Sequence, residues 1–151
     1  MRNKKYIVIS IILFINTIGA IGQTKTKEEL VSNFVKSVFF ENKSAKFVAD
    51  NYMYFEPINN SKYSMNDRIK ILNKHLKKIK KEKTTFVDAS NFFILPYKDY
   101  KDAKVTFTKS TQDIFILISR KNPVMYFYLV DDRILSFDYI LKGDEAFFIN
   151  Y

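Results

Sequence analysis

The chain predicts an α+β domain, with three helices followed by antiparallel strands that pack against them. Three observations give that class. Two segments, Thr26-Lys-Glu-Glu29 and Ser64-Met-Asn-Asp67, have capping-box spacing and lead into apolar residues three and four apart. From Thr84 onward the apolar period shortens toward two. Turn-forming residues then punctuate the rest at hairpin spacing: Asn122-Pro123, Asp131-Asp132 and Lys142-Gly143-Asp144.

The first helix starts at Thr26, whose hydroxyl accepts from the N3 amide while Glu29 returns the bond. Leu30, Val31, Phe34, Val35, Val38 and Phe39 form its buried stripe. Glu41-Asn42-Lys43 reads as a turn. Ser44 caps a second helix that runs to Tyr54, with Phe47, Val48 and Met53 facing the core. Pro57 and Asn59-Asn60-Ser61 close that unit. In the third helix, Met65, Ile69, Leu72, Leu76 and Ile79 fall within about 80° of arc. Lys70, Lys74, Lys77, Lys78 and Lys81 fall on the other side and face water.

Residues 86–95 read as a strand pair, or as one strand with an irregularity near Ser90-Asn91. Val105 and Phe107 alternate with Thr106 and Thr108. Ile114, Ile116 and Ile118 alternate with Phe115, Leu117 and Ser119. Residues 124–130 are apolar on both faces, which marks a central strand. Residues 134–141 return from the Asp131-Asp132 turn, and residues 146–149 end the pattern.

The first 22 residues read as a secretory signal. Lys4 and Lys5 precede an uncharged run over residues 6–18, which ends at Gly19-Ala20-Ile21-Gly22. The apolar run is shorter than the roughly 20 residues of a membrane-spanning helix. Ala20 and Gly22 fit cleavage between Gly22 and Gln23. The expectation is therefore export, to the periplasm or beyond the cell. An uncleaved anchor is the alternative, and it would be the only membrane attachment. Residues 23–151 then form one domain.

There is no cysteine, which removes disulfides, thiolate metal sites, a cysteine nucleophile and a lipid-carrying cysteine together. The net charge of +9 includes Arg2, Lys4 and Lys5 of the signal. Lysines number 21 against four arginines, and arginine is the residue suited to bidentate phosphate or base contacts. Specific nucleic-acid binding is therefore not expected. The lysine face of the third helix lacks the interleaved aromatics that stack on single strands, although it suits a general anionic surface.

Met125-Tyr-Phe-Tyr-Leu-Val-Asp-Asp-Arg-Ile-Leu-Ser-Phe137 resembles the late hairpin of the NTF2-like (cystatin-like) superfamily, in which an acidic turn precedes a basic residue and an apolar strand. The order of three helices and then hairpin-linked strands is similar to that fold. Tyr139-Ile-Leu-Lys-Gly-Asp144 is similar to the ends of small exported proteins of Bacteroidetes-type bacteria. The resemblance implies helices packed on a curved antiparallel sheet that encloses a cone. It also implies pairing into a homodimer through the exposed sheet face. The superfamily includes ketosteroid isomerases, dehydratases, binding modules and immunity proteins, so the fold leaves the activity open.

Asp138 is the acid of most interest, because a carboxylate in an apolar cavity can move protons. If it shares a face with Ser136 and Ile140 inside the cone, it is a candidate base, with Tyr52 or Tyr139 donating to an oxyanion. In the alternative, Ser136 and Asp138 face solvent while Phe137, Tyr139 and Leu141 fill the core. His75, the single histidine, sits at the edge of the third helix's apolar stripe, as a pocket-rim base or a surface residue. Phe92, Tyr126, Tyr128 and Phe137 are the candidates for lining an apolar ligand pocket. One histidine without cysteine makes no transition-metal site, and the acidic turns lack EF-hand spacing. No cofactor motif is present. The leading expectation is a non-enzymatic module that binds a small apolar ligand or a protein partner through the concave sheet face. An isomerase- or lyase-type enzyme and a lysine-helix surface binder are the alternatives.

Overall fold

The computed structural model describes residues 26–57, 63–102 and 105–150, and within them the chain is α+β. The signal at 1–22, its Gly22/Gln23 cleavage and the turn at 59–61 lie outside the described residues.

Helix α1 spans Lys27–Val35, with Thr26 Oγ1 accepting from the Glu29 amide at 3.1 Å. It runs directly into a π-helical turn, Lys36–Phe40. Ser37, Val38 and Phe39 are all buried there, a wider arc than one α-helical stripe covers. Helix α2 spans Ala45–Tyr52 under a Ser44 cap. Val48 and Ala49 are buried, but Phe47 faces outward, where the Lys43 ammonium lies 5.4 Å from its ring. Helix α3 spans Met65–Lys83, and its Ser64–Asp67 capping box is reciprocal. Ser64's hydroxyl and amide together hold the Asp67 carboxyl below its ordinary range.

The α3 stripe is buried at Leu72, Leu76 and Ile79. Met65 is 53 % exposed, because the first turn of α3 borders a shallow hollow beside α2 and not the sheet. Arg68 is buried there and reaches back to the α2 connection. Its Nη1 donates to the Glu56 carbonyl at 2.9 Å, and its guanidinium lies 5.1 Å from the Phe55 ring.

The strands are β1 (Phe92–Pro96), β2 (Thr106–Phe107), β3 (Ile114–Ser119), β4 (Asn122–Val130), β5 (Arg133–Ser136), β6 (Tyr139–Lys142) and β7 (Glu145–Phe148). They form two sheets where one curved sheet was expected. The first is antiparallel, in the order β1-β3-β4-β5. The second has the order β2-β7-β6, with β2 parallel to β7 and β6 antiparallel to it.

Three strand readings need correction. Residues 86–91 form turns and not a strand; Phe86 is 58 % exposed while Val87 is buried under α3. Asn122-Pro123 already belongs to β4. The turn lies at Arg120 and Lys121, both at positive φ. Residues 134–141 are not one strand, since the chain leaves the first sheet after Ser136 and joins the second at Tyr139.

The four-stranded sheet is covered on both faces. Toward the helices, the Phe34 ring meets Phe127 at 5.6 Å and Phe137 at 5.2 Å, within a core that includes Val31, Leu72 and Leu117. Away from them, Ile114, Ile116, Ile118 and Tyr126 pack on Phe107 and Ala146. Phe107 stacks on Phe148 at 4.5 Å. β3 is therefore buried along its whole length, as the central layer requires.

Candidate functional site

The site arises where β5 ends. β5 pairs with β4 only through Tyr128, Leu129 and Val130. At fully buried Ser136 the chain turns toward the second sheet. The Ser136 hydroxyl lies 2.9 Å from the Asp138 carbonyl and 2.6 Å from the Ile149 carbonyl, and it donates to that pair. The Ile149 amide also donates to the Asp138 carbonyl at 3.0 Å. These bonds fix the crossing, and β6 diverges from β4.

The diverging strands leave a wedge, and the C-terminal half of α3 closes its third side. The result is a cleft of about 320 Å³. Tyr126, Phe137 and Tyr139 supply aromatic wall, Val124 and Ile79 supply aliphatic wall, and Leu141 stands at the rim at 63 % exposure. Lys83, Glu82 and Asp138 provide its charges.

Asp138 is half-buried and faces α3, not open solvent and not the interior of a cone. Its Oδ2 lies 3.3 Å from Lys78 Nζ and 3.4 Å from His75 Nδ1. Its Oδ1 accepts from the Tyr139 amide at 3.0 Å. Both oxygens are thus engaged within the protein, and a cation already sits beside the charge. Neither sequence alternative fits: Ser136 and Phe137 are both buried, and Ile140 and Leu141 are both exposed. The alternation that both alternatives assumed breaks where the chain changes sheets.

Burial pushes the Tyr126 hydroxyl up to about 12, with Tyr139, Tyr100 and Tyr97 adding to it. Burial also raises Tyr139, and the Asp138 charge raises it further. At neutral pH both remain phenols, able to donate or accept one hydrogen bond to a bound molecule.

Of the predicted residues, Asp138, Tyr139, Tyr126 and Phe137 come together at this cleft, with His75 and Lys78 behind it. The others lie apart. The Tyr52 hydroxyl pairs with Ser37 Oγ at 2.9 Å, between α2 and the π-helical turn. Phe92 packs on Phe40 at the β1 edge, 6.0 Å between rings. Tyr128 stacks on Phe148 at 5.4 Å in the layer between the sheets. Lys70 pairs with Asp67 at 3.3 Å, and Lys74, Lys77 and Lys81 are exposed along α3. Sequence reasoning missed Ile79, Glu82, Lys83, Val124 and Leu141 as cleft residues. One signal was present: Ile-Leu-Ser-Phe at 134–137 does not alternate, which marks a chain passing between two layers.

No protein-family model, curated protein or solved structure matches the chain.

Proposed function

We propose that this chain is an exported, non-catalytic binding module, of NTF2-like descent, that receives a small apolar ligand or a protein partner in the cleft between α3, β4 and β6. One observation carries the reading. An aromatic wall and an exposed leucine rim border about 320 Å³ of space, while the cleft's Asp138 has both oxygens committed to protein groups. The NTF2-like part of the proposal draws on the order of three helices before hairpin-linked strands, and on the Asp131-Asp132 turn. Phe34, Phe127 and Phe137 occupy the space between helices and sheet where a superfamily enzyme would hold its substrate. That packing favours binding over isomerase or lyase chemistry.

The test is native mass spectrometry of the exported chain, purified gently. An added mass of roughly a few hundred daltons that disappears in Leu141→Asp supports a ligand in the cleft. A bare monomer, with no ligand and no partner in pull-down, overturns the reading. The same spectrum reports the cleavage site and any homodimer. The second sheet covers the face that the superfamily uses for pairing, so a homodimer here would need another surface.

A second reading is favoured by the charge on α3. It holds seven lysines and Arg68 against Asp67 and Glu82, and the remainder of residues 23–151 is balanced. Anionic-surface binding through Lys70, Lys74, Lys77, Lys78 and Lys81 predicts vesicle binding that falls steeply with salt.

A further inference from the structure

We infer that two copies of this chain pair edge to edge through β1, antiparallel, so that the four-stranded sheet continues across a two-fold axis. The inference stands apart from the cleft, which lies along β4 and β6.

The first observation is how differently the two edges of that sheet are treated. β5 forms one edge, and the end of α2 closes it. Met53 bridges Ile134, and the Tyr54 amide donates to the Ile134 carbonyl at 2.8 Å. Arg133 Nη1 donates to the Asp50 and Met53 carbonyls, each at 3.1 Å. β1 forms the other edge, with β3 on its inner side. On its outer side no strand among the described residues pairs with it, and no turn or cap bond reaches residues 92–96. None of the five residues is fully buried, and Phe93 is 50 % exposed. Such an edge presents backbone donors and acceptors to an incoming strand. The second observation is that the side chains do not guard it. Open edges are blunted by lysine, by an inward charge, by a bulge or by proline. Phe92-Phe-Ile-Leu-Pro96 has no charge, its register with β3 is unbroken, and its proline stands at the last position. The edge is apolar on both faces, with Phe93 on one and Phe92 against Phe40, 36 % exposed, on the other.

Charge decides where two copies can meet. The chain is cationic and α3 holds the excess, so copies repel wherever α3 faces α3. Over β1 lies α1 instead, where Lys27 and Lys36 are balanced by Glu28 and Glu29 across the helix and its π-helical turn. Lys98 and Asp99 balance at one end of the strand. Arg120 and Asp88, 3.3 Å apart, balance at the other. Two copies joined at β1 therefore bring neutral surface against neutral surface, with the same apolar rows on each face. An antiparallel pair of identical strands is closed by its two-fold axis, so it uses each edge once and stops at a dimer. Five paired residues span about 17 Å, an ordinary strand length.

The test is sedimentation of the exported full chain over a range of concentrations, with amide exchange followed at the same points. A dimer should form, and it should persist in about 1 M salt because α3 takes no part in it. Rising concentration should slow exchange at residues 92–95 and leave residues 139–142 of β6 unchanged. Phe93→Lys places a charge on the exposed edge and should raise the dissociation constant at least about tenfold. At a dilution where both proteins are monomers, its unfolding midpoint should match the parent's, which separates lost pairing from lost fold. Ile140→Lys, a comparably exposed change on the second sheet, should leave the dimer intact. A chain that stays monomeric at about 100 μM overturns the inference. So does a dimer that Phe93→Lys leaves unchanged, or one that protects other residues and not 92–95. If the chain is monomeric and takes an apolar peptide along residues 92–95, the edge serves a partner and the dimer falls.

Discussion

Lys78 Nζ lies 3.3 Å from Asp138 Oδ2, and the contact fastens the middle of α3 to the point where the chain crosses between sheets. Sixty positions separate the two residues; Asp138 lines the cleft and Lys78 lies behind it.

The worth of that contact is small and measurable. Lys78 is half exposed, so solvent screens the pair. A double-mutant cycle of Lys78→Ala and Asp138→Asn should give a coupling of about 0.5 kcal/mol in urea unfolding. In 1 M salt it should fall toward zero. A coupling above ~2 kcal/mol, or one indifferent to salt, would show that the pair behaves as a buried ion pair.

Ser136 should matter more than its size suggests. Ser136→Ala removes the hydroxyl that serves the Asp138 and Ile149 carbonyls, and should cost about 1–2 kcal/mol. Amide exchange should quicken first at Ile149, whose own bond to Asp138 depends on that crossing. Loss of protection spread evenly over the fold would argue against a local role.

Alkaline pH should destabilise the protein through Tyr126. Its folded pKa is raised to about 12, against about 10 in an unfolded chain. The folded state therefore holds the proton longer. The stabilisation is intact below pH 10 and is lost as pH rises from 10 toward 12. A two-unit difference corresponds to about 2–3 kcal/mol. Absorbance at the phenolate band should show a late-titrating tyrosine, and Tyr126→Phe should flatten the loss of stability above pH 10. An unchanged slope in that variant would assign the effect elsewhere.

Phe127→Ala should cost about 3–5 kcal/mol, because the ring is fully buried against Phe34. Phe86→Ser should change stability by no more than about 0.5 kcal/mol, since that ring is mostly exposed. The pair separates a core ring from an exposed one: Phe86→Ser should spare the unfolding midpoint that Phe127→Ala lowers.

The helices were legible in the sequence because their signals are local. Thr26, Ser44 and Ser64 each accept from the N3 amide as their spacing predicts, with the return bond of a capping box present at Ser64–Asp67, and Leu72, Leu76 and Ile79 bury as their period predicts. The turn at Arg120-Lys121 was not legible. Two-residue hairpin turns favour glycine or asparagine, and here two long basic side chains take positive φ while Asn122-Pro123 draws the eye one step too far. The second sheet was hidden for another reason. Residues 134–141 look like one apolar strand, and only long-range pairing, Thr106 with Glu145 and Phe107 with Ala146, shows that half of it belongs to another layer. The cleft inherits that difficulty, since Lys83, Val124 and Leu141 meet only after the chain has changed sheets.

The parallel pairing of β2 with β7 sets an order of assembly. β3, β4 and β5 meet through short turns and need wait for nothing beyond Ser136. β2 has no partner until Glu145 and Ala146 arrive, about 40 positions later, so its closure carries the larger entropic delay. Until then Ile114, Ile116 and Ile118 lie bare on one side. A chain interrupted before β7 would thus carry a finished helical core and an adhesive back. Nascent or truncated forms should need a chaperone's cover that the complete molecule does not.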